Sequence, residues 1–106
     1  MAGPPLNNVG RWSRVTKTKG SRGGSREELE LQNDSEPCRM NQPRASDREF
    51  GRKLERTVDA VLYVTPGHPW QRDDQWVVDG QSFRVVAGVT PSIPVYTKLF
   101  VESEGT

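Results

Sequence analysis

Cysteine, histidine and long apolar runs are nearly missing from this chain of 106 residues. The single cysteine, Cys38, excludes an intramolecular disulfide and a cysteine-built zinc cage, and it fits a reducing compartment. The single histidine, His68, has no second imidazole or cysteine pair to complete a metal site, so a structural role is expected for it. No apolar run approaches the ~18 residues of a membrane-spanning helix. Met1-Ala2-Gly3-Pro4-Pro5 has neither the charged nor the apolar region of a secretory signal. Apolar residues make up 32% of the chain, against about 45–50% in ordinary globular proteins. The mean hydropathy is −0.78. One domain with a modest core follows, and a domain this thin gains from partners.

Acid is also missing from residues 1–26, where Arg11, Arg14, Lys17, Lys19, Arg22 and Arg26 give an unopposed positive charge. Residues 57–106 reverse the balance, with Arg72, Arg84 and Lys98 against Asp59, Asp73, Asp74, Asp79, Glu102 and Glu104. This polarity can steer stacking against a partner or bring a basic edge near nucleic acid. No paired carboxylates and no nucleophile–base arrangement stand out, so an enzyme is not expected. Gly20-Ser21-Arg22-Gly23-Gly24-Ser25 is a loop but lacks the Gly-Lys-Ser/Thr ending of a phosphate-binding loop. Cys38 reads as a small buried hydrophobe.

What is present is β-hairpin grammar. Asp79-Gly80 supplies the two positive-φ residues of a type I′ turn, flanked by Gln75–Val78 and Gln81–Gly88. The register places Trp76 opposite Phe83, so Trp76, Val78, Phe83 and Val85 share a core face. Gln75, Val77, Ser82, Arg84 and Val86 share the other. Thr57–Val64 is a second strong strand, contributing Val61 and Tyr63 to the core. Val95–Val101 is the last strand, contributing Leu99.

Arg11–Lys19 alternates in a β manner but is polar on both faces, which predicts an edge strand blunted by lysines. Arg26–Gln32 alternates with Leu29 and Leu31 inward. Asn33–Pro37 reads as a turn, and Pro37–Asn41 as a short strand. Residues 42–56 form a long polar segment in which Ser46 and Glu49 match a capping box, giving at most one or two helical turns. The expected fold is mainly β: a six- to seven-stranded barrel or sandwich at residues 10–103, with a long polar loop at 42–56 and a flexible arm at 1–9.

The order of these pieces resembles the head-to-tail stopper, or head-completion, proteins of tailed bacteriophages. The resemblance runs over residues 11–101. It is carried by the basic first strand, the polar hairpin, Cys38-Arg39-Met40, the long polar segment, Thr57–Pro66 and Gln71–Gly88. It implies a structural protein of the virion neck, assembled in the host cytoplasm, with no cofactor, no metal and no membrane. Such a protein forms a ring of its own copies, commonly twelvefold, between the portal or adaptor and the tail protein, and closes the channel on the genomic DNA. The positions matching the family's channel loop carry Arg44, Arg48, Arg52, Lys53 and Arg56, which the resemblance places toward the DNA or a neighbouring subunit. Two other readings fit similar grammar. One is a different morphogenesis protein, such as an adaptor, tail terminator or minor tail component. The other is an OB-like or SH3-like nucleic-acid-binding barrel, although Phe83 and Arg84 point opposite ways and make a poor stacking face.

Overall fold

A computed structural model describes residues 6–19, 25–90 and 95–104. Its elements are β1 (Asn8–Lys19), β2 (Ser25–Asn41), α1 (Ala45–Lys53), β3 (Ala60–Val64), β4 (Gln75–Val78), β5 (Gln81–Val89) and β6 (Thr97–Ser103). The six strands close into an antiparallel barrel in the order β1-β2-β3-β6-β5-β4. Residues 20–24 of the expected Gly20–Ser25 loop, part of the Gly88–Pro94 connection and the first five residues of the arm lie outside the described residues, and Ser25 opens β2.

The β4–β5 hairpin has the expected register. Trp76 pairs with Phe83 and Val78 with Gln81, and the turn residues Asp79 and Gly80 take φ of 51° and 78°. The Trp76–Phe83 pair contributes about 0.5–1 kcal/mol beyond its area burial. Val86 stays on the face away from the barrel interior, but that face is covered there and not half solvated. A bulge lies between Val85 and Ala87 in the pairing with β6, and Val86 is buried.

Two expectations for the first half of the chain are corrected. β1 is not an edge strand, because Gly10–Ser13 pairs with β4 while the whole strand pairs with β2. Closure of the barrel removes the edge that a polar strand would otherwise present. Asn33–Pro37 is not a turn but part of one 17-residue strand. The pairing steps from Gly10↔Glu36 to Trp12↔Asn33 and then to Ser13↔Leu31, so β2 carries extra residues opposite β1. The turn-forming Asn33-Asp34-Ser35 are accommodated as bulges that bend the strand into the barrel wall. Beyond Ser13, β1 no longer pairs with β4, and β1 and β2 continue together as a two-stranded ribbon. The molecule measures 53 × 30 × 27 Å.

The barrel interior holds Trp12, Cys38, Ala60, Leu62, Val64, Trp76, Val78, Phe83, Val85, Leu99 and Val101. Of the expected core, Trp76, Val78, Phe83, Val85 and Leu99 lie here. Val61 and Tyr63 do not. They sit in a second cluster with Val58, Val86, Ala87 and Phe100 on the outer wall. β3 is apolar on both faces, so its alternation sends Ala60, Leu62 and Val64 inward and Val61 and Tyr63 outward. Leu29 and Leu31 are 53% and 54% exposed, contrary to the core role expected of them. They lie on the ribbon and its base, where no second layer among the described residues covers them.

Candidate functional site: a basic helix and an acidic ribbon

The polar segment, read from sequence as a loop holding one or two helical turns, carries a docked helix of nine residues. Its capping interaction lies two residues earlier than Ser46/Glu49: the backbone N–H of Arg44 donates to the Asp47 carboxylate at 2.9 Å. Asp47 is buried and accepts a 2.7 Å hydrogen bond from Lys98 Nζ on β6. Burial alone would raise the Asp47 pKa. The Lys98 ammonium and the Arg44 N–H outweigh burial and hold it below its ordinary value. Phe50 packs on Phe100 with ring centroids 4.7 Å apart. Gly51 is buried, and a Cβ there would lie 2.6 Å from Val58 Cγ2. These contacts fix α1 over the second apolar cluster.

Anchoring on that side leaves the cations outside. Arg44, Arg48, Arg52 and Lys53 are exposed, and Arg56 is half-buried. Arg48, Arg52 and Arg56 are spaced four residues apart and line a depression of about 350 Å³ with Pro43, Thr57, Val58 and Asp59. Arg52 pairs with Glu49 at 3.4 Å and Arg56 with Glu102 at 2.9 Å. Arg48 and Lys53 form no ion pair among the described residues. All five sequence-predicted cations therefore fall on one short segment on the outer wall, in a surface suited to an acidic partner. Phe50 and Leu54 add apolar area, at 36% and 38% exposure.

The ribbon has the opposite character. β2 carries Glu27, Glu28, Glu30, Asp34 and Glu36 between Arg26 and Arg39 with no intervening cation. Glu27 contacts Arg84, Asp34 contacts Arg11 and Glu36 contacts His68. Glu28 and Glu30 form no side-chain ion pair among the described residues. A depression of about 310 Å³ lined by Arg11, Ser13, Leu29, Leu31 and Gln75 sits at the ribbon's root.

A buried polar cluster holds the base of this ribbon to the barrel, and sequence reading missed it. Asp74 is 1% exposed. Its carboxylate accepts hydrogen bonds from Trp12 Nε1 at 2.9 Å, the Gln71 N–H at 2.8 Å and Arg14 Nε at 3.3 Å. Arg14 also donates to the Pro69 carbonyl at 2.8 Å. His68 lies beside it, with its ring centroid 4.3 Å from that of Trp12 and its Nε2 3.2 Å from Glu36. Burial lowers the His68 pKa more than the charges of Glu36 and Asp74 raise it. The cluster is filled by side chains and is a brace for β1, consistent with the structural role expected of His68. The faint signal in the sequence was Trp12 and Arg14 on one face of β1, donors that need an acceptor if that face turns inward.

Cys38 is fully buried. Burial, aided by the charges of Asp79 and Glu36, pushes its thiol up to about 11, which keeps it protonated and unreactive. Among the described residues no group of three or more His, Cys, Asp or Glu side chains is placed to hold a metal ion. No described helix is long and apolar enough to cross a membrane. Compared with known proteins, the sequence matches no protein-family model and no curated protein.

Proposed function

We propose that this chain is a structural, non-catalytic subunit of a bacteriophage neck ring, sitting between the portal or its adaptor and the tail and closing the DNA channel after packaging. The reading rests on the order of sequence pieces that resembles the stopper proteins. One observation carries it further: a closed barrel leaves uncovered the surfaces that a ring would cover. Leu29 and Leu31 are half exposed on the ribbon, and α1 turns its cations outward. A chain with 32% apolar residues gains stability when neighbouring copies bury such areas. A basic segment repeated around a ring also meets the packaged DNA with a sequence-independent, salt-dependent attraction.

Deleting the gene from the phage that encodes this chain tests the reading. DNA-filled heads that leak and carry no tails are expected. Normal yields of infectious tailed particles would refute it.

A further inference from the structure

The barrel has an open mouth at the end away from the ribbon. β1, β3 and β5 begin there, and β2, β4 and β6 end there. A depression of about 430 Å³ occupies the mouth, a usual place for a ligand site in a β-barrel. Its floor is apolar: Ala60 and Phe83 belong to the interior cluster and Met40 packs against it. Its rim is polar, with the carboxamides of Asn8, Asn41, Gln42 and Gln81. The only charged side chains among the described residues that line it are Asp59 and Asp79.

These two carboxylates stand across the mouth from each other. Asp59 leads into β3 and Asp79 turns β4 into β5, and in the closed order β1-β2-β3-β6-β5-β4 those places are nearly opposite. Both side chains are exposed, and neither forms an ion pair among the described residues. One Asp59 oxygen accepts the Ser103 N–H at 2.7 Å, and the other remains for a ligand. Cations stand outside the rim. Arg39 Nε donates to Asn41 Oδ1 at 3.3 Å, and Arg48, Arg52 and Arg56 line the adjoining depression, which Asp59 also borders. Behind the floor, burial raises the Cys38 thiol, and the charges of Asp79 and Glu36 add to that effect. The mouth is therefore negative, opposite in sign to the outer face of α1. Two separated carboxylates do not make the cluster of three that a metal ion needs. They suit a ligand that is positive at both ends and apolar between them, since a methylene chain lies on apolar surface while its ammonium heads stay in water.

We propose that the barrel mouth binds an aliphatic diamine or polyamine. One ammonium meets Asp59, a second meets Asp79, and the methylene chain between them crosses the floor of Met40 and Phe83. This site goes beyond the neck-ring reading and stands or falls without it.

The test is a set of two-dimensional amide NMR titrations of the full chain at low salt with putrescine, butylamine and butanediol. Putrescine should shift the amides of Asn8, Asn41, Asp59, Gly80 and Gln81. Butylamine should bind at the same amides roughly fivefold more weakly, the scale of one exposed ion pair. Butanediol, which has the chain without the charges, should leave them in place. Asp59→Asn and Asp79→Asn should each bring putrescine down to the level of butylamine, and the double variant should remove binding. Both variants keep the fold: the amide oxygen in Asp59→Asn still accepts the Ser103 N–H, and Asp79→Asn leaves an Asn-Gly pair, a preferred type I′ turn. Glu28→Gln with Glu30→Gln on the acidic ribbon should change nothing.

Mouth amides that stay in place in putrescine on the order of tens of millimolar would overturn the inference. So would equal affinities for putrescine and butylamine, because the mouth would then not recognise two charged ends. Unchanged binding by Asp59→Asn or Asp79→Asn, or shifts confined to the ribbon glutamates, would also overturn it. None of these results depends on where the chain sits in a particle, so the neck-ring reading and this site can fail separately.

Discussion

Replacing Asp74 by alanine removes one carboxylate from the centre of the barrel's polar brace, and its cost can be worked from the contacts. Two well-made hydrogen bonds disappear, from Trp12 Nε1 and the Gln71 N–H, and both donors are left without a replacement. Each such donor costs about 1–3 kcal/mol when stranded away from water. The Arg14 guanidinium loses its carboxylate at 3.3 Å but keeps the Pro69 carbonyl at 2.8 Å. Its side chain is 23% exposed, so water recovers part of the loss. The sum is roughly 4 kcal/mol, in line with the ~3–5 kcal/mol of breaking a buried ion pair from one side. A domain of this size has a total stability of about 5–15 kcal/mol, so the variant sits near the edge of folding. Asp74→Asn keeps one acceptor oxygen but turns an amide N–H toward Arg14, and is expected to lose about 2 kcal/mol. Urea unfolding followed by tryptophan fluorescence measures both, since Trp12 and Trp76 are buried in the barrel. The melting temperature of Asp74→Ala should fall by roughly 15–30 °C. A loss below about 1 kcal/mol in Asp74→Ala, with an unchanged denaturant slope, would refute the reasoning.

Three further perturbations probe other parts of the account. His68 is held neutral by burial, its folded pKa below the ordinary 6.5; its contribution is therefore full above pH 6.5 and declines as the pH falls below that value. His68→Leu should flatten the dependence of the urea midpoint between about pH 5 and 7, and an unchanged slope would count against a buried neutral imidazole. Gly51→Ala, which in an exposed helix would gain about 1 kcal/mol, should instead cost about 1–3 kcal/mol, because the new methyl meets Val58 Cγ2 at 2.6 Å; a stabilised variant would mean that α1 is not seated as described. Lys98→Met leaves Asp47 buried with only the Arg44 N–H and should cost about 2–3 kcal/mol near neutral pH. The Asp47 pKa is lowered in the fold, so that loss is constant above about pH 4 and shrinks as the pH drops through the folded value, which urea titrations across that range would reveal.

The parts of the fold that were legible in the sequence depend on neighbours along the chain. Asp79-Gly80 sets a turn, the turn sets a register, and the register places Trp76 against Phe83. What stayed hidden depends on residues far apart. Period-two alternation says that Leu29 and Leu31 share a face but not whether anything covers it, and here nothing among the described residues does. β3 is apolar throughout, so its alternation could not tell Leu62, which points inward, from Val61 and Tyr63, which pack outside. Asn33-Asp34-Ser35 carry turn propensity that the closing barrel uses for bulges. The helix at 45–53 was masked by Gly51 and by its charges, because what stabilises it is the Lys98–Asp47 pair with a residue 51 positions away. Arg44, Arg48, Arg52, Lys53 and Arg56 do lie on one segment, whose expected one or two helical turns are a docked helix over Ala45–Lys53.

The central claim is the place of this barrel in a neck ring. Electron cryomicroscopy of virus particles purified from cells that express this chain tests it most directly. The expected result is a ring of density at the portal–tail junction into which copies of the six-stranded barrel fit. Density at that junction fully explained by other proteins, with this chain absent from the particles, would contradict it.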